Sequence, residues 1–400
     1  MASKSEGADY PVGGIGPGGS QKAIKMAPKL AYRNLFHDKL SLLVTLVGIV
    51  FSVVLVAIQC GLYIGSGRTI ATVIDKVKAD LWVVPIGTKS FDDPSLLMGY
   101  EKHAILSTPG VARAEEIVVG FSAWRKPEGG KKAFILVGLD YKNGGLKPWS
   151  IAEGSVEALD IPNSVAIDKS YFADLGISKI GDMAEINSQR VRVSAVTKGI
   201  RSFTTLPYAF TSIDRARQFV GASAQQATYE LVTLGKGANL ETVRAELSAR
   251  LPDTEVLTQE EFRNRSLNYW LFKTGAGMAL ISGAALGIIV GVVVVAQTLY
   301  ASTKDHLNEF ATLRALGASA SYIHVVILIQ AILSAVIGYL AGISLALAVV
   351  TAAKGTTLNV VMTPQLALWL FALTIGMCIV AAISAIFKVT RIDPAGVFNR

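Results

Sequence analysis

Residues 40–67 read LSLLVTLVGIVFSVVLVAIQCGLYIGSG, a run without Asp, Glu, Lys or Arg. A helix through this run can cross a bilayer, because about 20 residues span the roughly 30 Å hydrocarbon core. Three further charge-free runs follow at residues 274–303, 315–353 and 355–387. A charge at the centre of a membrane helix costs about 2.5–3.5 kcal/mol on insertion scales. Four such runs therefore indicate four transmembrane helices.

The overall composition agrees with a membrane protein. Hydrophobic residues make up 51% of the 400 residues and charged residues only 17%, and the mean hydropathy is +0.45. Four buried helices of a soluble protein are the alternative, which this excess of apolar residues disfavours. Both cysteines, Cys60 and Cys378, fall within predicted spans, so no disulfide is expected outside them.

The predicted fold class is a membrane α-helical protein with four transmembrane helices and an α+β extracytoplasmic domain inserted between helices 1 and 2. The boundaries we expect are a disordered cytoplasmic tail at 1–24, an amphipathic lead-in at 25–39, a first span at 40–64, an extracytoplasmic domain with stalk helices at 65–273, a second span at 274–303, a cytoplasmic coupling helix at 304–320, a third span at 321–350, a fourth span at 365–387 and a cytoplasmic tail at 388–400.

The basic residues beside the spans predict the orientation. Those in the short flanks of the first and last spans are Lys22, Lys25, Lys29, Arg33, Lys39, Lys388, Arg391 and Arg400. Short basic flanks stay in the cytoplasm, so both termini should be cytoplasmic and the large domain periplasmic, in a bacterial inner membrane. The net charge of +8 then reflects topology and attraction to anionic lipid, and no nucleic acid is expected as a partner.

Local patterns predict mixed structure in the large domain. Strands are expected at Ala114–Trp124 and Lys132–Gly138, joined by a turn with the composition Pro-Glu-Gly-Gly. The segment from Tyr229 to Leu257 reads as strand, amphipathic helix and strand. The strand, helix and strand that begin the domain at Leu81 are expected to be its structural counterpart.

Two segments predict stalks that extend the membrane helices. Thr258 to Glu261 match a capping box, and a continuous helix from there to Thr303 would measure about 69 Å. Arg68–Lys78 is expected to form the matching stalk after the first span. The aromatic residues Tyr269, Trp270 and Phe272 are expected where the second membrane helix enters lipid.

The sequence lacks the common catalytic and metal-binding motifs. It has 4 His, no HExxH, no CxxC, no G-x-S-x-G elbow and no Gly-Lys-Ser/Thr phosphate loop. We therefore expect no catalytic, cofactor-binding or metal-binding residues in this chain. If ATP is used, another chain should bind and hydrolyse it.

The cytoplasmic connection after the second span carries a distinct pattern. Leu307, Phe310, Leu313 and Leu316 recur every three residues and would form one apolar face of a helix. Two interpretations follow from the pattern. A partner could bind this helix and so displace both adjoining membrane spans. Alternatively, the helix could be a connector that only covers apolar surface.

The same segment, Glu309-x-Ala311-x-Leu313-Arg314-Ala315-Leu316-Gly317-Ala318, resembles the signature of the FtsX-like permease family of ABC transporters. Two further matches are Ala31-x-Arg33-Asn34-Leu35, followed by Lys39, Thr45 and Gly48-Ile49, and Asp393-Pro394-Ala395 near the C-terminus. The resemblance is greatest to the MacB and DevC type of exporter permease.

This resemblance implies partners that the chain itself does not supply. It implies a homodimer with two separate ABC ATPase subunits, which hold the ATP and Mg. It also implies a periplasmic adaptor and an outer-membrane channel as further partners. Because the chain has no fused ATPase domain, the DevC-like arrangement is favoured over that of MacB. Stalk helices would transmit ATP-driven motion to the exported domain and drive substrate efflux.

Three groups of residues are therefore candidates for a functional role. The expected ATPase-coupling surface consists of Glu309, Phe310, Leu313, Arg314 and Gly317. Gly283, Gly287 and Gly291 lie four apart on the second span and permit close helix approach, either between two subunits or within one. Gln59, Gln297 and Gln330 could line a path or form interhelical hydrogen bonds.

Three other functions remain open at this level. A permease of the lipoprotein-releasing type shares the topology and the signature. An FtsX-like regulator of a cell-wall hydrolase would use the same motion without transport. A membrane enzyme is the third class, which the absent catalytic motifs disfavour.

Overall fold

The computed structural model describes residues 28–306, 312, 320–353 and 359–390, which form two compact units. The helical unit takes in the described residues up to Cys60, from Ser282 to Val349 and from Met362 onward. The α/β unit takes in Gly61–Ile281 and the described part of Val350–Val361. The predicted tails at 1–24 and 391–400, and most of the predicted coupling helix, lie outside the described residues.

The helices of the described chain are α1 at residues 28–37, α2 at Lys39–Ile70, α3 at Glu101–Leu106, α4 at Phe172–Leu175, α5 at Ile213–Val220, α6 at Leu240–Arg250, α7 at Gln259–Asn268, α8 at Ala276–Asp305, α9 at Ala320–Ala352 and α10 at Pro364–Thr390. The strands are β1 at Leu81–Pro85, β2 at Val111–Arg125, β3 at Lys131–Leu139, β4 at Ile151–Gly154, β5 at Ser164–Asp168, β6 at Met183–Ile186, β7 at Gln189–Thr197, β8 at Tyr208–Ser212, β9 at Tyr229–Leu234 and β10 at Thr254–Thr258.

Within the described residues, α2, α8, α9 and α10 contain the four stretches that are long and apolar enough to cross a membrane. Leu40, Leu286 and Leu368 on these helices are 60–73% exposed, as expected of side chains that face lipid. The buried side is built from small residues of α9 and α10 packed on Ile49 and Val53 of α2. The four-helix prediction is confirmed.

The lead-in and the first membrane helix are joined by a cap. Asp38 Oδ1 accepts a hydrogen bond from Ser41 N at 3.1 Å, which satisfies a free donor at the start of α2. Ala31 of α1 is fully buried against Tyr322 and Val326 at the start of α9. The lead-in is thus helical in its described part and packs within the helical unit.

The α/β unit is built on a mixed sheet with the strand order β10-β1-β9-β2-β3-β8-β5-β7-β4, and β6 pairs with β2 and β7. Strand β1 is antiparallel to both β9 and β10, and β9 is antiparallel to β2. The two βαβ segments expected from the sequence are therefore interleaved, as in a split βαβ fold. Helices α3 and α6 cover the Leu81 and Val83 face of β1.

The long hairpin β2–β3 continues the sheet into a second core. Its turn is the predicted Pro127–Gly130 segment, in which Lys126 N donates to Gly130 O at 3.1 Å. Strand β3 then pairs in parallel with β8. The sequence analysis missed β4, β8 and α5. Strands β4 and β8 have only four and five residues, too few to show a clear period. Helix α5 does have an amphipathic pattern, with Ile213, Ala216 and Phe219 buried, and this signal could have revealed it.

The prediction of one continuous helix from Thr258 to Thr303 is wrong. Helix α7 ends at Asn268, a π-helical turn occupies Tyr269–Lys273, and α8 begins only at Ala276. Gly275 has φ +81°, a left-handed conformation that breaks the helix and that glycine adopts without strain.

The prediction of a helical stalk at Arg68–Lys78 is also wrong. Helix α2 ends at Ile70, and only a short 3₁₀ turn follows at Ile74–Lys76. The chain is extended at Val77, where ψ is 134°. Gln259 Nε2 donates to the carbonyl oxygens of Ile74 and Val77, so a tertiary contact replaces the helical hydrogen bonds there.

One carboxyl group is buried in the centre of this sheet. Glu230 of β9 is 2% exposed and lies directly opposite Glu116 of β2. Lys102 and Arg217 hold the Glu116 carboxylate at 2.5 and 2.6 Å. Oε2 of Glu230 has no hydrogen-bond partner among the described residues. Burial and, as a smaller cause, the Glu116 carboxylate together raise the pKa of Glu230 to about 9, so Glu230 carries a proton at neutral pH.

This arrangement predicts a pH-dependent stability. When the pKa of a carboxyl group is higher in the folded state than in the unfolded state, its contribution to stability is fully present below the unfolded-state pKa. That contribution is lost as the pH rises through the folded-state pKa. The unfolding temperature should fall as pH rises from about 4.5 to about 9, and Glu230→Gln should reduce this dependence. Tryptophan fluorescence of the purified full chain is the measurement.

Glu128→Gln is the matched control, because Glu128 lies in the exposed hairpin turn. It should leave the pH profile of the unfolding temperature unchanged. If Glu230→Gln and the unmodified chain had the same pH profile of the unfolding temperature, a protonated Glu230 would be excluded as the cause of the pH dependence.

Candidate functional site

The coupling residues expected from the sequence lie outside the described residues. These are Glu309, Phe310, Leu313, Arg314 and Gly317. The structure describes the helices on either side, α8 up to Asp305 and α9 from Ala320. The role of the segment between them stays a prediction.

The three glycines of α8 pack against α2 of the same chain. A methyl group added at Gly283 would lie 2.6 Å from Gln59 Nε2, and one at Gly291 would lie 2.6 Å from Ser52 Oγ. At Gly287, the Ser52 hydroxyl donates to the glycine carbonyl oxygen at 2.8 Å. The glycines thus bring the α8 backbone close to α2, while a contact of these residues between two subunits stays a prediction.

Helix α9 approaches α2 through glycine as well. A methyl group at Gly338 would lie 2.5 Å from Ile49 Cγ2, and one at Gly342 would lie 2.8 Å from Val53 Cβ. Even a methyl group at either position would force Ile49 or Val53, or the helix that carries it, to shift. Helix α2 is therefore the one against which both α8 and α9 pack most closely through glycine.

The start of α7 is held by the capping box that the sequence predicted. Thr258 Oγ1 accepts from Glu261 N at 3.2 Å, and Glu261 Oε2 accepts from Thr258 N at 2.9 Å. Such reciprocal bonds satisfy two free donors of the first turn. The helix therefore begins immediately after β10, with no flexible linker between them.

An aromatic cluster fixes α7 to the sheet. Phe262 is fully buried, with its ring centroid 5.0 Å from that of Trp82 on β1 and 5.4 Å from that of Tyr229 on β9. The Tyr229 hydroxyl donates within the loop after β1, with Phe91 O at 2.9 Å. Large aromatic side chains contribute much of the burial energy of a core, so α7 cannot shift without disturbing the sheet.

Helix α7 also binds the turn that follows α2. Gln259 Nε2 donates to Ile74 O at 2.8 Å and to Val77 O at 3.2 Å. Arg263 Nε lies 3.0 Å from Asp75 Oδ1. We call these contacts between α7 and residues 74–77 the junction. It joins the segment that leaves α2 to the segment that leads into α8.

A second ion pair holds α7 to the start of β10. Arg265 Nη2 lies 2.6 Å from Glu255 Oε2, and this contact lowers the pKa of Glu255. The other carboxylate oxygen of Glu255 accepts from Gly87 N at 3.0 Å. The carboxylate thus links α7 to the loop after β1.

The π-helical turn after α7 makes a contact that the sequence did not reveal. Trp270 packs on Phe203, with ring centroids 5.3 Å apart, and Phe203 belongs to the connection between β7 and β8. π-Helical turns often mark functional positions. The expected position of Tyr269, Trp270 and Phe272 at the lipid boundary stays a prediction.

The described residues offer no metal centre. No group of three or more His, Cys, Asp and Glu side chains in the described ranges could hold one ion. The polar groups of the junction bind one another across two chain segments.

The glycine contacts predict a clear difference between two substitutions. Gly291→Leu should lower the stability of the helical unit by about 1–3 kcal/mol, because Met377 Sδ and Ser52 Oγ already occupy the space. Thermal unfolding of the purified full chain in detergent is the measurement.

Gly376→Leu on α10 provides the control, since a methyl group there would have no atom within 4 Å. It should leave the unfolding temperature nearly unchanged. Equal effects of the two substitutions would contradict the packing of α8 on α2.

Comparisons with known proteins agree with this architecture. The family described as the MacB-like periplasmic core domain matches residues 42–250, more than half of the chain. The family described as the FtsX-like permease C-terminal matches residues 281–394. In the comparison with curated proteins, no significant match is found.

Similar solved structures include two exported domains. The periplasmic region of MacB from Actinobacillus actinomycetemcomitans is 13% identical over 48% of this chain and 94% of its own, with a TM-score of 0.35. The extracellular domain of the noncanonic ABC-type transporter YknZ from Gram-positive bacteria is 15% identical over 45% of this chain and 99% of its own, with a TM-score of 0.34. On the two family matches, the chain belongs to the FtsX-like, MacB-type permeases of ABC transporters.

Proposed function

We propose that this chain is the membrane subunit of an ATP-driven exporter of the MacB or DevC type. Motion of a separate ABC ATPase would reach the chain at residues 304–320 and pass along α8 and α2 to the α/β unit. The chain itself would bind no ATP or Mg. Movement of the α/β unit would then drive substrate efflux outside the membrane.

The observation that carries this proposal is the junction. The two segments that connect the α/β unit to α2 and α8 are bonded to each other through Gln259, Arg263 and Asp75. Phe262 fixes the same helix to the sheet. A displacement of α2 that reaches residues 74–77 would therefore act on α7 and, through Phe262, on the sheet. Helix α8 would act on α7 through the π-helical turn at Tyr269–Lys273 and the break at Gly275.

The proposal includes an orientation and partners. Both termini and residues 304–320 lie in the cytoplasm, and the α/β unit lies in the periplasm of a bacterial cell. The basic flanks of the first and last spans support this orientation. A homodimer, two ATPase subunits, a periplasmic adaptor and an outer-membrane channel complete the assembly that the family resemblance implies.

The coupling is tested by two sets of variants. Arg314→Glu or Gly317→Leu should abolish stimulation of the partner ATPase while the chain still inserts. Gln259→Ala combined with Arg263→Ala should keep that stimulation but reduce the nucleotide-dependent signal of a fluorophore attached at Ser223→Cys. Because the Arg263 pair is half exposed and contributes only about 0.2–1 kcal/mol, the fold should persist.

Arg250→Ala is the matched control for the junction variant. Arg250 forms a similarly exposed ion pair with Glu246 at 2.6 Å but lies on α6, away from the junction contacts. Arg250→Ala should preserve both the stimulation of the ATPase and the nucleotide-dependent signal of the fluorophore. Normal ATPase stimulation in Arg314→Glu and Gly317→Leu would exclude the coupling role, and a normal fluorophore signal in the junction variant would exclude transmission there.

The orientation is tested by thiol labelling in intact cells. In a chain whose Cys60 and Cys378 are replaced by Ser, Ser223→Cys should react with an impermeant reagent and Ser319→Cys should not. Ser223 is exposed in the α/β unit, so access is limited only by the membrane. Labelling of Ser319→Cys alone would reverse the proposed orientation.

Copurified partners distinguish export from the two related functions. An adaptor supports export. A cell-wall hydrolase would support the FtsX-like regulator, and a lipidated protein held by the α/β unit would support a lipoprotein-releasing permease.

A further inference from the structure

A small basic pocket lies beside the junction in the α/β unit. It has a volume of about 240 Å³ and is lined by the basic residues Lys76, Lys78, Arg113 and Lys147 together with one acidic residue, Glu115. Four cationic groups thus face one carboxylate. No substrate, metal or ATP contact in the proposed transport cycle uses this pocket.

The four cations reach the pocket from different parts of the chain. Lys76 ends the 3₁₀ turn of the junction, and Lys78 precedes β1. Arg113 lies where a register shift interrupts the pairing of β2 with β9, and Lys147 follows the turn at Tyr141–Asn143. A solvated helix face would place its charges on one element, so the convergence of three segments is a property of the fold.

The carboxylates near these residues are already engaged. Asp75 binds Arg263 at 3.0 Å, and Asp80 Oδ2 accepts from Leu234 N at 2.7 Å. Glu115 lies 3.6 Å from Arg113, and burial raises its pKa. Among the described residues, no carboxylate oxygen lies within 4.0 Å of the lysine nitrogens of the pocket, which are those of Lys76, Lys78 and Lys147. Glu157 also interacts electrostatically with Lys147, and Asp140 with Glu115. The residues that line the pocket are nevertheless four basic and one acidic, so the lining has a net positive charge.

The shape of the pocket depends on a glycine pair in the loop after β3. Gly144 has φ +92°, and a methyl group added there would lie 3.2 Å from Arg113 Nη1. The bare backbone lets the guanidinium lie against the loop. Leu146 packs on the main core of the unit, which anchors the same loop. The arginine is thereby placed at the wall of the pocket.

We propose that this pocket binds a phosphate group. Arginine matches phosphate oxygens with two parallel donors, while lysines supply point charges around it. The volume is slightly below the roughly 300–1,000 Å³ of pockets for drug-sized ligands, so it fits a phosphorylated head and not a whole amphiphile. The group could belong to a lipid headgroup or to a soluble phosphorylated compound, and both present the same chemistry.

A bound phosphate would connect the junction to the sheet by a second route. Lys76 directly follows Asp75, the junction partner of Arg263, whereas Arg113 and Lys147 belong to β2 and the loop after β3. A phosphate that contacts both sides would bridge the turn after α2 to these elements. The binding itself requires neither the ATPase nor transport.

Lysine footprinting of the purified full chain tests the proposal. The chain in a neutral detergent is acetylated with and without glycerol phosphate, or with phosphatidic acid in the micelles, at constant ionic strength. Lys76, Lys78 and Lys147 should be modified less when a phosphate compound is present. The exposed Lys131 and Lys179 report general screening and should be unaffected.

Arg113→Gln and Arg125→Gln form a matched pair. Both arginines lie on β2, are 55% and 61% exposed, and have a glutamate oxygen at 3.6 Å. Arg113→Gln should raise the phosphate concentration for half protection about tenfold, since a charged hydrogen bond is lost. Arg125→Gln should not change it.

The outcomes are distinct. Protection by phosphatidic acid alone assigns a lipid headgroup, protection by glycerol phosphate alone assigns a soluble compound, and protection by both assigns the phosphate group itself. No protection, equal protection of Lys131 and Lys179, or an unchanged response in Arg113→Gln would overturn the proposal. Because no ATPase is present, these results are independent of whether the proposed coupling holds.

Discussion

The pairing of β1 with both β9 and β10 is the interaction on which the rest of the α/β unit depends. Strand β1 follows the turn after α2, and β10 directly precedes α7, so this pairing places the two connections to the membrane helices side by side. Only then can Gln259 reach Ile74 and Val77. The same register brings Phe262 onto Trp82. A central strand cannot be withdrawn without breaking hydrogen bonds on both edges, and the proposed transmission of motion relies on this pairing.

The helical unit follows a different rule. Lipid is as apolar as the helices, so burial of apolar area gives little drive for their association, and close van der Waals packing takes its place. Glycines of α8 and α9 supply that closeness against α2, and the Ser52 hydroxyl adds a hydrogen bond to a backbone carbonyl. Since α2 continues beyond Cys60 into the α/β unit, the helix that is held most closely is also one that connects the two units.

Charge in the α/β unit is distributed in three ways. At the junction, Arg263 and Arg265 meet half-exposed carboxylates, which orient α7 but contribute modestly to stability. Inside the sheet, Glu116 is compensated by two cations, and Glu230 across from it avoids like-charge repulsion by holding a proton. In the basic pocket, four basic side chains surround a single acidic lining residue, Glu115. The first two arrangements complete the fold, whereas the third is the basis of the proposed phosphate site.

Local rules acting on the sequence determined much of this protein. Four charge-free runs predict membrane helices, because a charge at the centre of such a helix is costly. A Pro-Glu-Gly-Gly turn produces the β2–β3 hairpin. The capping box of Thr258 and Glu261 starts α7. The FtsX-like signature identified the family, although its residues lie outside the described structure. The tertiary structure alone decided where α2 ends and that α7 and α8 are separate helices, since Gly275 in an apolar run is compatible with either outcome. It alone placed β1 between β9 and β10, Glu230 opposite Glu116, and four cations in one pocket. These features join residues up to about 180 positions apart, and neither periodicity nor capping chemistry carries information over that distance.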